Sequence, residues 1–312
     1  MKTEYLTQPR KIANNSAVAV GSFDGLHLGH RAILDKLKSC AKELDGPSVV
    51  LTFNPHPKNI VGSGETMKLL SPLEEKVPAI AALGVDLLVV VAFDEKFAAL
   101  TAEEFVRNFL VDSLGVAVLV IGTDHGFGKD REGNLASLEL LSKNTGFVLN
   151  IVEPVLWDDK PIKSRRIREV VVAGDMPKAA HMLGRPYTIV GEVVPGRGRG
   201  RKLGFPTANL KTPPEKLLPK SGIYAVSDEQ GKLGLMYIGT SPTFGEGEFT
   251  VEFYRLESAD YKKGETIRLS VFQRIRGEAV FPGSGELIKQ MESDRTNLIR
   301  WAEDSGIKFA ER

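Results

Sequence analysis

The sequence has little cysteine, tryptophan or histidine, no surplus of either charge and no long apolar run. Its one cysteine, Cys40, excludes an internal disulfide and is consistent with a reducing compartment. Cys40 falls inside a helical pattern and reads as packing rather than as a nucleophile. Lysine plus arginine number 41 against 40 aspartates and glutamates, a net charge of +1. That balance argues against a chain that coats nucleic acid, although it leaves room for a local basic patch. No uncharged apolar run reaches the roughly 18 residues of a membrane span. The opening MKTEYLTQPRK lacks the apolar centre of a signal peptide. There is no low-complexity tail and no internal repeat. What remains is the profile of a cytoplasmic globular protein, and 312 residues are enough for about two domains.

The first half alternates two patterns. Ala17–Val20, Val49–Phe53, Leu87–Phe93, Val116–Gly122 and Phe147–Val152 are short runs of aliphatic residues, as in strands buried on both faces. Between them lie helical patterns: Ile33, Leu34, Leu37, Ala41 and Leu44 trace one face, and Leu73–Leu83, Ala102–Leu114 and Leu135–Leu141 read similarly. Such alternation predicts a doubly wound parallel sheet with ligands at the carboxyl ends of its strands. The pattern changes at Gly184-Arg185-Pro186. The strand-like runs Tyr187–Val194, Ile223–Val226, Leu233–Ile238, Thr250–Arg255 and Thr266–Phe272 follow, separated by turn signals. They predict an antiparallel sheet or small barrel, closed by a helix over Glu286–Trp301. The expected domains are therefore 1–185 and 186–312.

The stretch Gly21-Ser22-Phe23-Asp24-Gly25-Leu26-His27-Leu28-Gly29-His30 follows a strand and opens a helix. Glycines allow a ligand close to the backbone, and a helix N-terminus favours an anion. Two imidazoles there can donate hydrogen bonds to phosphate oxygens as charge develops. Zinc is the rival, since His-x-x-His on a helix supplies two ligands, but no further Cys/His cluster supplies the rest. Histidines satisfied by local hydrogen bonds are the third reading. Lys163-Ser164-Arg165-Arg166-Ile167-Arg168 opens another helical pattern with a hydroxyl and several cations, either a second anion clamp or a solvated basic helix end. Gly122-Thr123-Asp124-His125-Gly126-Phe127-Gly128-Lys129 is a glycine-rich loop after a strand.

Residues 196–209 read GRGRGRKLGFPTAN. A Gly/Arg loop is flexible and cationic, suited to closing over polyphosphate; the alternative is a segment that touches RNA. In its second half Pro206 fixes a turn, and Thr207 and Asn209 offer the neutral oxygens that suit Mg²⁺ carried with phosphates.

GSFDGLHLGH resembles the GxFDGxHxGH motif of the nucleotidyltransferase superfamily. Together with TFNPHP at 52–57 and the GTDHGFG loop, it resembles the prokaryotic bifunctional riboflavin kinase/FMN adenylyltransferases. The resemblance implies a Rossmann-like first domain that moves AMP from ATP onto FMN, giving FAD and pyrophosphate. His27 and His30 would stabilise the phosphates in the transition state. Ser22, Phe23, Asp24, Gly25 and Gly29 would line the nucleotide site, and Asn54, Pro55 and His56 would lie near the flavin. Asp124 takes the place of the family's Asn or Asp, and Ser164, Arg165 and Arg168 occupy the phosphate-binding segment. The family usually has Ser-Ser-Thr-x-Ile-Arg there, so Lys163 and Arg165 are departures.

GRGRGRKLGFPTANL closely resembles the riboflavin kinase signature. The resemblance implies a β-barrel kinase domain in which Thr207 and Asn209 are the Mg-ATP ligands. Gly196, Arg201, Lys202, Gly204 and Pro206 belong to the phosphate flap and its turn. Glu252, in TVEFY, matches the general base on the ribityl hydroxyl, and Arg276 and Glu278 match a segment near the flavin, with Asp294 and Arg295 on the last helix. Here too there are departures: Tyr237 and Ser241 stand where the family commonly has Asn and Arg, and Ala259-Asp260-Tyr261 replaces most of an Asp-Leu-Tyr-Gly segment. The resemblance implies Mg²⁺, with ATP, riboflavin and FMN as substrates and FAD as product. Partners would be small molecules, with no nucleic acid or membrane, and the protein a monomer or weak homo-oligomer. The alternatives are the same fold with one activity lost, or a non-catalytic flavin or nucleotide binder.

Overall fold

The computed structural model describes residues 1–62, 64, 66–123, 126, 135–196, 200, 203–240, 249–257 and 260–306. Two compact units divide at Ser164, Met1–Ser164 and Arg165–Arg312.

The first unit is a six-stranded parallel sheet. Its strands are β1 (Lys2–Leu6), β2 (Ser16–Val20), β3 (Ser48–Asn54), β4 (Leu87–Ala92), β5 (Val116–Gly122) and β6 (Val148–Val152), in the order β1-β4-β3-β2-β5-β6. Every pairing is parallel. The doubly wound expectation holds. Strand alternation sends Val18, Val20, Leu51, Val89 and Ile121 into one core and Ala17, Ala19, Val50, Val90 and Val120 into the other. This is why the inner strands read as unbroken aliphatic runs. Helix α1 (Leu28–Leu44) buries Leu34, Leu37, Cys40 and Ala41 against the second core, and complete burial of each leucine is worth about 2 kcal/mol. Cys40 is thus packing. The order reverses at β2, whose neighbours are β3 on one side and β5 on the other. Loops leaving β2 and β5 therefore bound the crevice where such sheets bind ligands.

Two features differ from expectation. β1 pairs with the edge of β4 although KTEYL is largely polar; an edge strand needs only one covered face. The 102–114 helical pattern is a short α5 (Ala102–Phe105) that runs into a π-helix over Val106–Ser113. The remaining helices of this unit are α2 (Lys58–Val61), α3 (Leu73–Ala81), α4 (Glu95–Ala98) and α6 (Leu135–Thr145), and a small β7–β8 ribbon (Leu156–Trp157, Lys160–Pro161) follows.

The second unit begins in α7 (Ser164–Ala173) and α8 (Met176–Leu183), and α8 packs on β9 and β14. The compact units therefore part at Ser164 rather than at 185, because α8 is buried with the barrel. Strands β9 (Tyr187–Val194), β10 (Ala208–Lys211), β11 (Gly222–Ser227), β12 (Leu233–Thr240), β13 (Phe249–Arg255) and β14 (Thr266–Arg276) form a closed antiparallel barrel. Closure removes free edges. Ala208, Leu210, Val251, Phe253, Met236, Ile238 and Tyr224 are buried alternates along these strands. Helix α9 (Ser284–Asp304) covers part of the outside through Leu298 and Trp301, against Ala225 and Leu235.

Candidate functional site

β2 ends at Val20, and the chain turns sharply before α1. Phe23 and Leu26 both have φ +46°, and Gly25 has φ +84°. Holding a bulky residue in that region costs about 1 kcal/mol or more. Phe23 and Leu26 are 2% and 1% exposed, and burying each side chain returns about 2 kcal/mol. The two anchors thus offset the strain of the turn. Asp24 is buried beneath it and accepts hydrogen bonds from the backbone N–H of Leu70 (3.2 Å) and Ser71 (3.0 Å). The Asp24 carbonyl accepts one from the Ser164 hydroxyl at 2.9 Å.

His27 caps α1, with the His30 backbone N–H donating to its Nδ1 at 3.3 Å. The His27 and His30 rings stack with centroids 3.6 Å apart and planes 16° apart. Phe23 meets His30 edge-on at 5.3 Å. A Cβ at Gly29 would come within 3.2 Å of the His27 ring, so the glycine makes room for it. Burial, then the adjacent His27 and Lys76, hold His30 well below the ordinary histidine pKa. His30 is therefore a neutral imidazole at pH 7, and its Nδ1 is buried without a hydrogen-bond partner among the described residues.

These side chains open on a cleft of about 700 Å³. Ser22, Phe23, His27, Gly29, His30, His56 and Ser164 line it, together with Lys163. Asp24, Gly25, Asn54 and Pro55 are not among its lining, and the Asp24 carboxylate is occupied in tying the loop to residues 70 and 71. An aromatic wall of Phe53, Phe93, Phe97 and Phe105 lines the same cleft, with centroid separations of 5.2 to 5.9 Å between neighbouring rings. Among the described residues no group of three or more His, Cys, Asp or Glu could hold a metal, so the zinc reading finds no third ligand there. Asp124 lies outside the described residues. Arg165 is exposed on α7 and pairs with Glu169 at 3.2 Å, and Arg168 on the same helix is half-buried.

Sequence reasoning missed the wall and it missed Lys76. Phe93 and Phe97 were legible as an aromatic pair four apart in FDEKF. Lys76 sits among Leu73, Val77 and Ile80 of α3, a charge on an apolar helix face. It is 4% exposed and donates to the Ser22 carbonyl at 2.7 Å. Burial lowers its pKa, and Asp24 opposes that shift.

The second unit carries a separate constellation on the outside of its barrel. Asn209 pairs directly with Glu252, Glu252 with Tyr237, Tyr237 with Ile223, and Ile223 with Arg276. This is one row across five strands; Asn209, Glu252, Tyr237 and Ile223 are half-exposed while their strand neighbours are buried, and Arg276 is half-exposed at the end of its strand. The Thr207 hydroxyl donates to Glu252 Oε2 at 3.4 Å. Gly196 lies close against the row. A Cβ at Gly196 would collide with the Asn209 amide at 1.9 Å, and one at Gly200 with the Phe205 carbonyl at 2.2 Å. Gly204 has φ +86°, which lets the chain turn before Pro206. The Tyr237 hydroxyl donates to Glu278 Oε1 at 2.5 Å. Burial first, then that carboxylate, push the phenol well above its ordinary pKa. Arg276 holds the buried Asp294 of α9 with its Nε at 2.8 Å and Nη2 at 2.7 Å. Arg201, Lys202, Ser241 and Ala259 lie outside the described residues.

Comparison with known proteins matches each unit separately. An FAD synthetase family model matches residues 9–166, and a riboflavin kinase model matches residues 183–302. The chain is 37% identical to a bifunctional riboflavin kinase/FMN adenylyltransferase of Listeria monocytogenes, over 94% of this chain and 96% of that one. The chain belongs to this bifunctional family. The Bacillus subtilis member is 36% identical over 96% of this chain and 98% of its own, and the Escherichia coli member 34% over 89% and 90%. A crystal structure described as a macrolide-efflux protein from Streptococcus pneumoniae superposes with a TM-score of 0.85, at 28% identity, over 96% of this chain and 99% of that one. In family terms, the histidine cleft lies in the FAD synthetase match and the Asn209–Glu252–Tyr237 row in the riboflavin kinase match. No helix among the described residues is long and apolar enough to cross a membrane.

Proposed function

We propose that the chain makes both flavin cofactors: the barrel phosphorylates riboflavin to FMN with ATP, and the parallel-sheet unit adenylylates FMN to FAD. The observation that carries the reading is that each family match spans one unit and each unit holds its own polar constellation. The functional boundary is taken at 185/186, supported by the start of the kinase match at residue 183.

In the first unit, the apolar wall of Phe53, Phe93 and Phe97 takes the flavin ring, and His27 and His30 face the ATP phosphates. An FMN phosphate oxygen attacks the α-phosphorus in line. The bond to the bridging oxygen breaks, and pyrophosphate leaves. The imidazoles donate hydrogen bonds to oxygens that gain charge, and one such donor is worth about 10²- to 10³-fold in rate. Ser22, Gly29 and Ser164 complete the nucleotide site, with Asp24 and Gly25 setting the loop and Asn54, Pro55 and His56 near the flavin; Arg165 and Arg168 are the cations of the phosphate-binding segment that Ser164 opens. No covalent enzyme intermediate is needed, because the work is positioning and charge.

In the barrel, Glu252 takes the proton of the ribityl 5′-hydroxyl, whose oxygen attacks the γ-phosphorus, and ADP leaves. Thr207 and Asn209 lie two apart at the start of β10 and offer hydroxyl and amide oxygens, a donor set that fits Mg²⁺. Bound there, the ion would neutralise phosphate charge. Gly196, Gly204 and Pro206 shape the flap, and Arg276 and Glu278 border the flavin end. The enzyme acts in the cytoplasm on small molecules, as a monomer or weak homo-oligomer without nucleic-acid or membrane partners, a reading supported by the balanced charge.

The test is to incubate the pure protein with Mg-ATP and either riboflavin or FMN and to separate the flavins by chromatography. FAD from riboflavin, with FMN appearing on the way, is the expected result. FMN accumulating without FAD would locate a loss at Lys163 and Arg165. FAD from FMN with nothing from riboflavin would locate it around Tyr237 and Ser241. No conversion of either flavin would overturn the enzyme reading.

A further inference from the structure

Helix α3 packs Ile80 fully into the core, with Leu73 and Val77 against it. On the same side it buries Lys76, with 4% of its surface exposed. An ammonium in such a place costs several kcal/mol that a methionine of similar length would not. The group is not placed at random. Its Nζ donates to the Ser22 carbonyl at 2.7 Å, at the root of the loop that carries the two histidines. The same carbonyl accepts from the Thr52 hydroxyl of β3 at 3.3 Å. Ser22 itself lines the cleft, whereas Lys76 does not.

We propose that Lys76 is a positioning residue for adenylyl transfer: its ammonium, anchored on the Ser22 carbonyl at the root of the His27–His30 loop, fixes the loop and supplies a positive charge near the His30 ring. The proposal rests on the adenylyltransferase reading of the cleft. The titratable groups around the pair are Asp24 in the loop, His27 and His30 at the start of α1, and Lys58, Lys163, His56 and Glu153 in the cleft lining. Asp24 offsets the burial of Lys76. Lys76 in turn disfavours a proton on His30, adding to burial and to His27. The consequence is chemical. An imidazolium already charged in the empty site would hold pyrophosphate as firmly as the transition state. A neutral donor backed by a fixed cation adds most where charge develops.

The experiment uses the full chain with Lys76→Met and Lys76→Arg. Three quantities are read: FAD formation from FMN across pH, riboflavin phosphorylation, and the titration of His30 by NMR, assigned with His30→Gln. Lys76→Met is expected to lower kcat for FAD formation roughly 10- to 100-fold while changing the KM for ATP by less than about 3-fold. Removing the cation should also raise the His30 midpoint, and the acid limb of the rate profile should move up with it. Lys76→Arg keeps the charge, so the acid limb and the His30 midpoint should stay where they are in the parent even if kcat falls. Riboflavin phosphorylation should be unchanged in both.

A Lys76→Met protein with parental kcat would overturn the proposal. So would one whose kcat falls while the acid limb and the His30 titration stay in place, since that is the behaviour of a merely structural residue. If Lys76→Met does not fold, Lys76→Arg decides, because a shifted His30 midpoint in that variant contradicts the charge argument. If the parent chain forms no FAD, the adenylyltransferase reading fails by itself, and the His30 midpoint in Lys76→Met still reports whether Lys76 controls the ring.

Discussion

Tyr237 stands directly across the β12–β13 ladder from Glu252, yet its hydroxyl donates to Glu278, at 2.5 Å. The phenol thus lies beside two carboxylates and is bonded to one of them. A Cβ at position 239 would strike the Tyr237 hydroxyl at 2.0 Å, so Gly239 is what admits the ring. Tyr237→Phe removes the donor from Glu278 and keeps the ring. A hydrogen bond to a charged group contributes about 1.5–3 kcal/mol, much of it discounted here because Glu278 is exposed. Riboflavin phosphorylation should fall roughly 3- to 10-fold, chiefly in the KM for riboflavin, with FAD formation from FMN unchanged. Steady-state kinetics of the two half-reactions check this.

Glu252→Gln keeps shape and the contact with Thr207 but cannot accept a proton. The loss should be about 10²-fold or more in riboflavin phosphorylation, while FMN is still converted to FAD. Unchanged phosphorylation would remove Glu252 as the base and return it to a strand-face carboxylate.

His30→Ala should lower FAD formation by about 10²-fold and spare riboflavin phosphorylation. Equal loss of both would contradict two separate sites. His30 also carries a stability signature. Its folded-state pKa lies below the ordinary 6.5 because burial disfavours the charged form. Above about pH 6.5 neither the folded nor the unfolded state binds that proton, and no penalty exists. Below it the unfolded chain binds a proton that the folded chain refuses, so stability falls as pH drops through that window. Urea unfolding at pH 7.5 and 5.5 should show a smaller loss in His30→Gln than in the parent.

Asp294→Asn breaks the forked contact that ties α9 to the end of β14. Asp294 is 1% exposed and also accepts from Gln290 at 2.9 Å. Removing its charge leaves Arg276 facing a neutral amide, and the cost should be about 3 kcal/mol. Thermal unfolding followed by Trp301, which packs on Phe272 with centroids 5.4 Å apart, reports on that helix directly. A midpoint within a degree of the parent would mean that solvent replaces the carboxylate.

Much of the fold was legible because burial leaves its period in the sequence. β2, β3 and β4 are covered on both faces and so read as unbroken aliphatic runs; β10 and β14 of the barrel are covered mainly on one face and alternate. β1 escaped notice because an edge strand needs few apolar residues, and KTEYL has only its last one buried. β10 was hidden inside LGFPTANL, whose turn signal outweighs a four-residue strand. The π-helix after α5 has the same apolar spacing as an α-helix over so short a run, so periodicity does not separate the two.

The sites divide along the same line. His27, His30, Thr207 and Asn209 were named as candidates from the sequence itself, because glycine spacing and residue chemistry within a few positions mark a phosphate loop or an oxygen ligand pair, whereas Glu252 came only from the resemblance that TVEFY carries. The tertiary structure alone decided which distant residues join them. Phe53 at the end of β3 and Phe97 on α4 become one wall only when the parallel sheet sets their loops at the same edge. Lys76 looked like an ordinary helix lysine until packing buried it under Ser22. The row from Asn209 to Arg276 spans 67 positions of sequence and exists because barrel closure brings five strands into register. Local pattern records what each segment buries. Which segments meet depends on long-range pairing, and that is set by the summed packing of the whole unit rather than by any stretch within it.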